Sequence, residues 1–457
     1  MGRGRRTALI EWNLRSSPRL EECYYDGRHE SGLRILVAPK DLSAAYVTVG
    51  IAYGSRDRLA GGTLPMGIAH FLEHKMFERP GGESWEDTFS ALGAEVNAYT
   101  SDDCTAYMFS ATDHVAEGIE ALLSMVRDLS VTGRSVARER RIIAEEIRMN
   151  ADDPWEVCYA NMLRGLYPPV RRRSVKRSEA PAGNPVREEI CGTEASIRRI
   201  TPAALREAHR RFYRPENMVL AVSGRITSEE VAAAVERAMT NLPTGTAPCG
   251  IPSAPARRDP AGVYAPRVTA KMDTAKPLFS IGIKIDGIPA EPSELLRLDR
   301  LSTILAEMLF SRSGDFYDKL FEEGIINPGI SYGASLGRPT AEGGEGYGYL
   351  YLSGECDCPD QVFEAFTDYV NSLREGGLDP AAFMRARQIL YADFVYSFDS
   401  TEGIASSLQA AALDGMDLFD LPFIDASLTV ADAEELFRRI CVFENFTLST
   451  VFPTEKS

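Results

Sequence analysis

Two of the five histidines in this 457-residue chain fall in one pentapeptide, His70-Phe71-Leu72-Glu73-His74. On a helix, positions i and i+4 share a face, so the spacing lets both imidazoles reach one metal ion. Glu73 stands at i+3 from His70, on the same side, where a carboxylate can touch a metal-bound water. This is the inverse of the HExxH zinc arrangement. A hydrolytic zinc site takes three protein ligands and leaves a fourth position open for water, so a third ligand is required. The predicted helix from Arg138 to Asn150 offers Glu139, Glu145 and Glu146. With Ile142, Ile143 and Met149 taken as its apolar stripe, about 100° per residue puts Glu139 and Glu146 on the stripe and turns Glu145 toward Arg141 and Arg148. A carboxylate on a buried face is costly unless it is paired or bound to a cation. Glu146 is therefore the expected third ligand. Glu139, two turns earlier, is the group expected to orient a histidine ligand.

These side chains need a scaffold, and the surrounding patterns supply one. Leu33, Ile35 and Val37 alternate like a strand, and Tyr46 to Ile51 reads as a second. A Gly-rich loop at 61–65 precedes a predicted helix from Met66 to Phe77, closed by Pro80 and Gly81-Gly82. Ser84 is the expected N-cap of the next helix. Ala94 to Thr100 and Thr105 to Ala111 form a predicted hairpin across Ser101-Asp102-Asp103. Val115 to Leu129 and Ser135 to Asn150 are apolar at helical spacing, the second ending at Asp152-Asp153-Pro154. Pro168 to Gly183 is basic, proline-flanked and poor in apolar residues; it reads as an exposed loop, with a substrate or partner contact as the alternative. Thr201 caps a helix with Pro202 at its first position, and Met218 to Val222 is a buried strand.

The second half repeats the first. The run Thr201 to Leu220 aligns without gaps on Thr429 to Leu448, placing Arg210-Arg211 on Arg438-Arg439 and Glu216-Asn217 on Glu444-Asn445. A period this long means a duplicated domain. The expected architecture is α+β: two tandem homologous domains, each a mostly antiparallel sheet packed with helices. The first spans 1–240 and carries the metal motif. A Pro/Gly/Ala/Thr-rich linker spans 241–262, and the second domain, 263–457, has no ligand histidines.

Composition narrows the function classes. The 50 Lys and Arg against 66 Asp and Glu give a net charge of −16, which argues against nucleic acid or an anionic membrane as partner. Hydrophobic residues at 44% and charged residues at 25% are ordinary globular values and exclude general disorder. The eight cysteines are scattered with no CxxC pair, which points to free thiols and a reducing, cytoplasmic setting. No apolar stretch is long enough to span a membrane. The glycines at 343, 344, 346 and 348 lack the spacing of a dinucleotide fingerprint.

The chain resembles the pitrilysin–insulinase (M16) zinc peptidases, whose members include insulin-degrading enzyme and the mitochondrial processing peptidase. The matching text is Gly67 to Phe77, Leu92 to Ser101 (LGAEVNAYTS), Glu139 to Met149, Gly192 to Ile197 and Phe212 to Met218. The resemblance puts the family's zinc-binding glutamate on Glu146, in agreement with the periodicity, and its paired edge-strand residues on Asn97 and Ala98. It implies a fold of the mitochondrial-processing-peptidase type. It also implies Zn2+ on His70, His74 and Glu146, Glu73 as general base, and an extended peptide substrate added to the Asn97 edge strand.

One segment departs from the family. Active members carry an Arg and a Tyr seven residues apart in the second domain, which hold substrate and the developing oxyanion. Here Tyr332 is present as the expected substrate-binding tyrosine, but Phe321 stands at the Arg position. This is similar to a bacterial subgroup in which a zinc-bearing subunit pairs with a zinc-less homologous partner. The chain is thus expected to be the zinc half of a heterodimer, with a homodimer as the alternative. A non-catalytic scaffold subunit and a leader-peptide maturase for modified peptides are the competing functions.

Overall fold

The computed structural model describes residues 10–57, 64–170, 183–239, 259–339 and 345–454. Among the described residues, twelve strands form two sheets. The first contains β1 (Trp12–Ser17), β2 (Glu22–Arg28), β3 (Arg34–Pro39), β4 (Ala45–Ile51), β5 (Glu95–Thr100), β6 (Thr105–Ala111) and β7 (Met218–Gly224), in spatial order β1-β2-β3-β7-β4-β6-β5. The second contains β8 (Arg267–Met272), β9 (Leu278–Lys284), β10 (Ser331–Gly337), β11 (Tyr347–Glu355) and β12 (Phe446–Pro453), in order β10-β11-β9-β12-β8. Read from β8, the second order is the first without β1 and β2. In both sheets the pair at this end is parallel (β3 with β7, β8 with β12) and the other pairs are antiparallel. The internal repeat is therefore a repeat of topology, and the fold is α+β.

The two halves are interlocked. Five helices matter here: α1 (Ile68–Met76), α2 (Gly133–Asp152), α3 (Pro154–Leu166), α4 (Pro292–Phe310) and α5 (Thr401–Leu413). The helix α3 belongs to the first half but packs on β8, β9 and β12 of the second sheet. Its counterpart α5 packs on β4 and β7 of the first. Each inserts a side chain over a glycine. A Cβ on Gly282 of β9 would lie 2.8 Å from Met162 Cγ, and one on Gly50 of β4 would lie 2.6 Å from Gln409 Cδ. Gly50 pairs with Val219 and Gly282 with Thr447, the same register position in the two repeats. Met162, Leu166, Ile404 and Leu408 are buried in this exchange, each contributing about 1.5–3 kcal/mol of apolar burial.

A buried ion cluster also joins the halves. The Arg56 guanidinium has no solvent-exposed surface. It donates to Asp103 Oδ1 at 2.7 Å and to the Glu345 carbonyl at 2.8 Å, and lies 4.6 Å over the Tyr347 ring. Burial pushes the neighbouring carboxyls of Asp57 and Asp102 up to about 6. Among the described residues no helix is long and apolar enough to cross a membrane. Most of the expected 241–262 linker, residues 171–182 of the basic 168–183 stretch and the Gly-rich run at 61–63 lie outside the described residues.

Candidate metal centre

The helix α1 starts at Gly67, whose φ of 84° is left-handed. A Cβ there would meet the Cys191 carbonyl at 2.4 Å, so only glycine fits this turn. One turn on, His70 and Glu73 are almost fully buried, and the His70 and His74 rings lie 4.6 Å apart between centroids. The helix α2 is opened by a Thr132–Ser135 capping box and runs alongside. It presents Val136, Glu139 and Ile143 inward, with half-exposed Glu146 on the same side.

The predicted stripe of α2 is corrected in part. Ile143 is buried, but Ile142 is 51% and Met149 69% exposed. The inward face carries carboxylates at positions that elsewhere hold apolar residues, so counting hydrophobic residues misplaced the stripe while still selecting Glu139 and Glu146. Glu145 does point away, accepting from Arg148 at 2.6 Å.

The three candidate ligands converge. His70 Nε2 is 3.3 Å from Glu146 Oε1, and His74 Nε2 is 3.7 Å from Glu146 Oε2. Ligand atoms of His70, His74 and Glu146 all lie within 4.8 Å of one another. Two atoms bound at about 2.0–2.1 Å to one tetrahedral ion are separated by about 3.3 Å, so two imidazole nitrogens and one carboxylate fit such an ion here. Hydrogen bonding from His70 depresses the Glu146 pKa. Burial works against a charge on His74, but its bond to Glu139 and the carboxylates around it prevail and raise its pKa.

Glu139 Oε1 lies 3.2 Å from His74 Nδ1, where a carboxylate can orient that ring. Glu73 is held by Thr100, whose hydroxyl donates to Glu73 Oε2 at 2.6 Å. Sequence reasoning missed Thr100; its signal was the alternation of β5, which turns Ala98 and Thr100 to one side and Asn97 and Tyr99 to the other. His70, Glu73, His74, Thr100 and Glu146 face a cleft of ≈ 840 Å³, bounded by β5 on one side and by Ser335, Leu336, Tyr347 and Tyr349 of the second sheet on the other.

Ala98 lines the cleft and Asn97 does not. Asn97 Oδ1 instead accepts the Ala98 N–H at 2.8 Å, at the outer strand of the first sheet. Tyr332 is not brought to the cleft: its hydroxyl donates to Glu307 Oε2 of α4 at 2.9 Å. Phe321 is also outside it, on a short helix, Asp315–Glu322.

Comparison with known proteins agrees with this geometry. Residues 36–168 match the family "Insulinase (Peptidase family M16)", and residues 199–390 match "Peptidase M16 inactive domain". A Bacillus subtilis protein described as uncharacterized zinc protease YmfH is 31% identical, over 95% of this chain and 97% of its own length. The chain belongs to the M16 peptidase family. Among solved structures, an M16-like peptidase from Alicyclobacillus acidocaldarius matches with a TM-score of 0.85 and 29% identity, over 98% of this chain and all of that one. Pitrilysin shares the fold at a TM-score of 0.73 and 17% identity; the match takes in 98% of this chain but 47% of pitrilysin.

Proposed function

We propose that the chain is a zinc-dependent endopeptidase of short or unfolded peptides. The observation that carries this reading is the convergence of His70, His74 and Glu146 beside Glu73, in a cleft flanked by the outer strand β5. Zinc on those three residues supplies a water of lowered pKa and polarises the scissile carbonyl. Glu73, fixed by Thr100, takes a proton from the attacking water and delivers it to the leaving amine. The substrate main chain adds to β5 by strand pairing, where its carbonyl replaces the Asn97 side chain on the Ala98 N–H. Among the described residues, further carboxylates line the cleft, of which Asp103 pairs with Arg56 and Glu189 with Arg164.

Neither Phe321 nor Tyr332 reaches the cleft, so the group that binds the developing oxyanion comes from a second subunit. A zinc-less homologous partner fits this need, with a homodimer as the alternative. The scattered unpaired thiols are in keeping with a cytoplasmic setting.

The test is cleavage of a mixed unfolded-peptide pool by the purified zinc-loaded chain, with Glu73→Gln as control. Loss of general base catalysis lowers the rate by about 10²–10⁴-fold. Cleavage by the chain alone removes the need for a partner. Tightly bound zinc without cleavage supports the two-subunit form, and absence of both refutes the enzyme reading.

A further inference from the structure

Lys75 follows the ligand His74 directly, yet it has no exposed side-chain surface. A buried cation costs several kcal/mol unless it is paired, and a methionine would fill the same space at a helix position with no such cost. The ammonium is held between two carboxylates. It contacts Glu78 at hydrogen-bonding range and lies 3.4 Å from Glu139 Oε2. Glu78 has a second partner in Arg138, at 3.3 Å.

The two oxygens of Glu139 are divided: Oε1 meets His74 Nδ1 at 3.2 Å and Oε2 meets Lys75. A carboxylate held at both oxygens cannot rotate about its terminal bond, and so the imidazole it grips keeps one orientation. The other histidine has no such support. His70 Nδ1 is buried and has no hydrogen-bond partner among the described protein groups. Control over ring orientation in this centre is concentrated on His74, and the far end of that control is Lys75.

We propose that Lys75 is a positioning residue for the metal ligand His74, acting through Glu139. It fixes the Glu139 carboxylate so that His74 presents Nε2 to the ion. The inference rests on the zinc reading given above.

The experiment measures zinc affinity by chelator competition, and the visible spectrum of the Co2+-substituted protein, for the full chain and three variants: Lys75→Met, Glu139→Gln and the double variant. Removing a group that orients a ligand lowers metal affinity about 10–100-fold. Lys75→Met is expected to lose about tenfold, with altered Co2+ bands. The double variant is expected to lose no more than Glu139→Gln alone, because both changes break one chain of contacts. Zinc affinity and Co2+ bands unchanged in Lys75→Met would overturn the proposal, as would losses that add in the double variant. If Lys75→Met does not fold, the pair Lys75→Met with Glu78→Gln removes the cation together with its other carboxylate and carries the same test. Failure of the unaltered chain to bind zinc refutes the metal reading instead, so the two failures are distinguishable.

Discussion

Gln409 of α5 reaches from the second half into the first sheet. Its side chain is 3% exposed. It accepts from the Thr48 hydroxyl, itself 1% exposed, and its Nε2 donates to Tyr99 on β5 at 3.3 Å. Gln409→Leu keeps the volume over Gly50 but removes both bonds. The lost bond to Thr48 contributes about 1 kcal/mol, and a buried hydroxyl left without a partner costs about 1–3 kcal/mol. The bond to half-exposed Tyr99 adds little, because water reaches that hydroxyl. The expected destabilisation is about 2–4 kcal/mol. Thr48→Val alone strands Gln409 Oε1 and costs a similar amount, whereas the double variant replaces both partners by apolar groups and is close to neutral. The assay is urea unfolding of the metal-free protein, followed by circular dichroism and fluorescence to check that the transitions coincide. A Gln409→Leu protein within about 0.5 kcal/mol of wild type would refute the reasoning, and so would single-variant losses that simply add in the double variant.

Thr100→Val removes the hydroxyl that fixes Glu73. A hydrogen bond to a charged group contributes about 1.5–3 kcal/mol, so kcat is expected to fall about tenfold or more, with zinc content unchanged by metal analysis. An unchanged kcat would refute the positioning role. In the metal-free protein, thermal stability is expected to rise as pH falls from 7.5 to 5.5. Burial raises the folded-state pKa of Asp57, Asp102 and Asp299 to about 6, and His74 is raised as well. At these groups the folded chain binds protons more tightly than the unfolded chain, and they outnumber His209, whose pKa burial lowers and which acts in the opposite sense. That stabilisation is full below the unfolded carboxylate range and is lost as pH rises through about 6. Further acidification reverses the trend, because the lowered pKa values of Glu139 and Glu146 act in the opposite sense. A Tm that falls steadily from pH 7.5 to 5.5 would contradict this sign.

Much of the centre is local, and local features are legible in a sequence. Helical spacing alone brings His70, Glu73 and His74 to one face, since 3.6 residues per turn leaves little freedom at i, i+3 and i+4. Caps announced themselves for the same reason: Ser84 accepts from the Glu86 N–H, and Thr201 and Thr429 open equivalent helices. The repeat was readable because both copies keep the Glu-Asn turn ahead of the buried strands β7 and β12. Periodicity on α2 selected Glu146 and Glu139, though the stripe it relied on was partly exposed.

Other features depend on contacts between residues far apart in the chain, and no spacing rule encodes those. Thr100 meets Glu73 only because β5 lies beside α1. Lys75 is buried only because Glu139, 64 residues on, packs against it. The helix α3 begins at Pro154, which the sequence marked only as the end of the helix before it. Tertiary packing gave Gly50 and Gly282 a use: they make room for the exchange of α3 and α5 between halves, which a side chain at either glycine would block. Tyr332 is the converse case, a residue whose type and place in the chain fit the site but whose sheet carries it to Glu307 instead. Sequence determined which groups could do the chemistry, because their spacing lies within single helices. Tertiary structure decided what holds them, because burial and orientation arise only where separate elements meet.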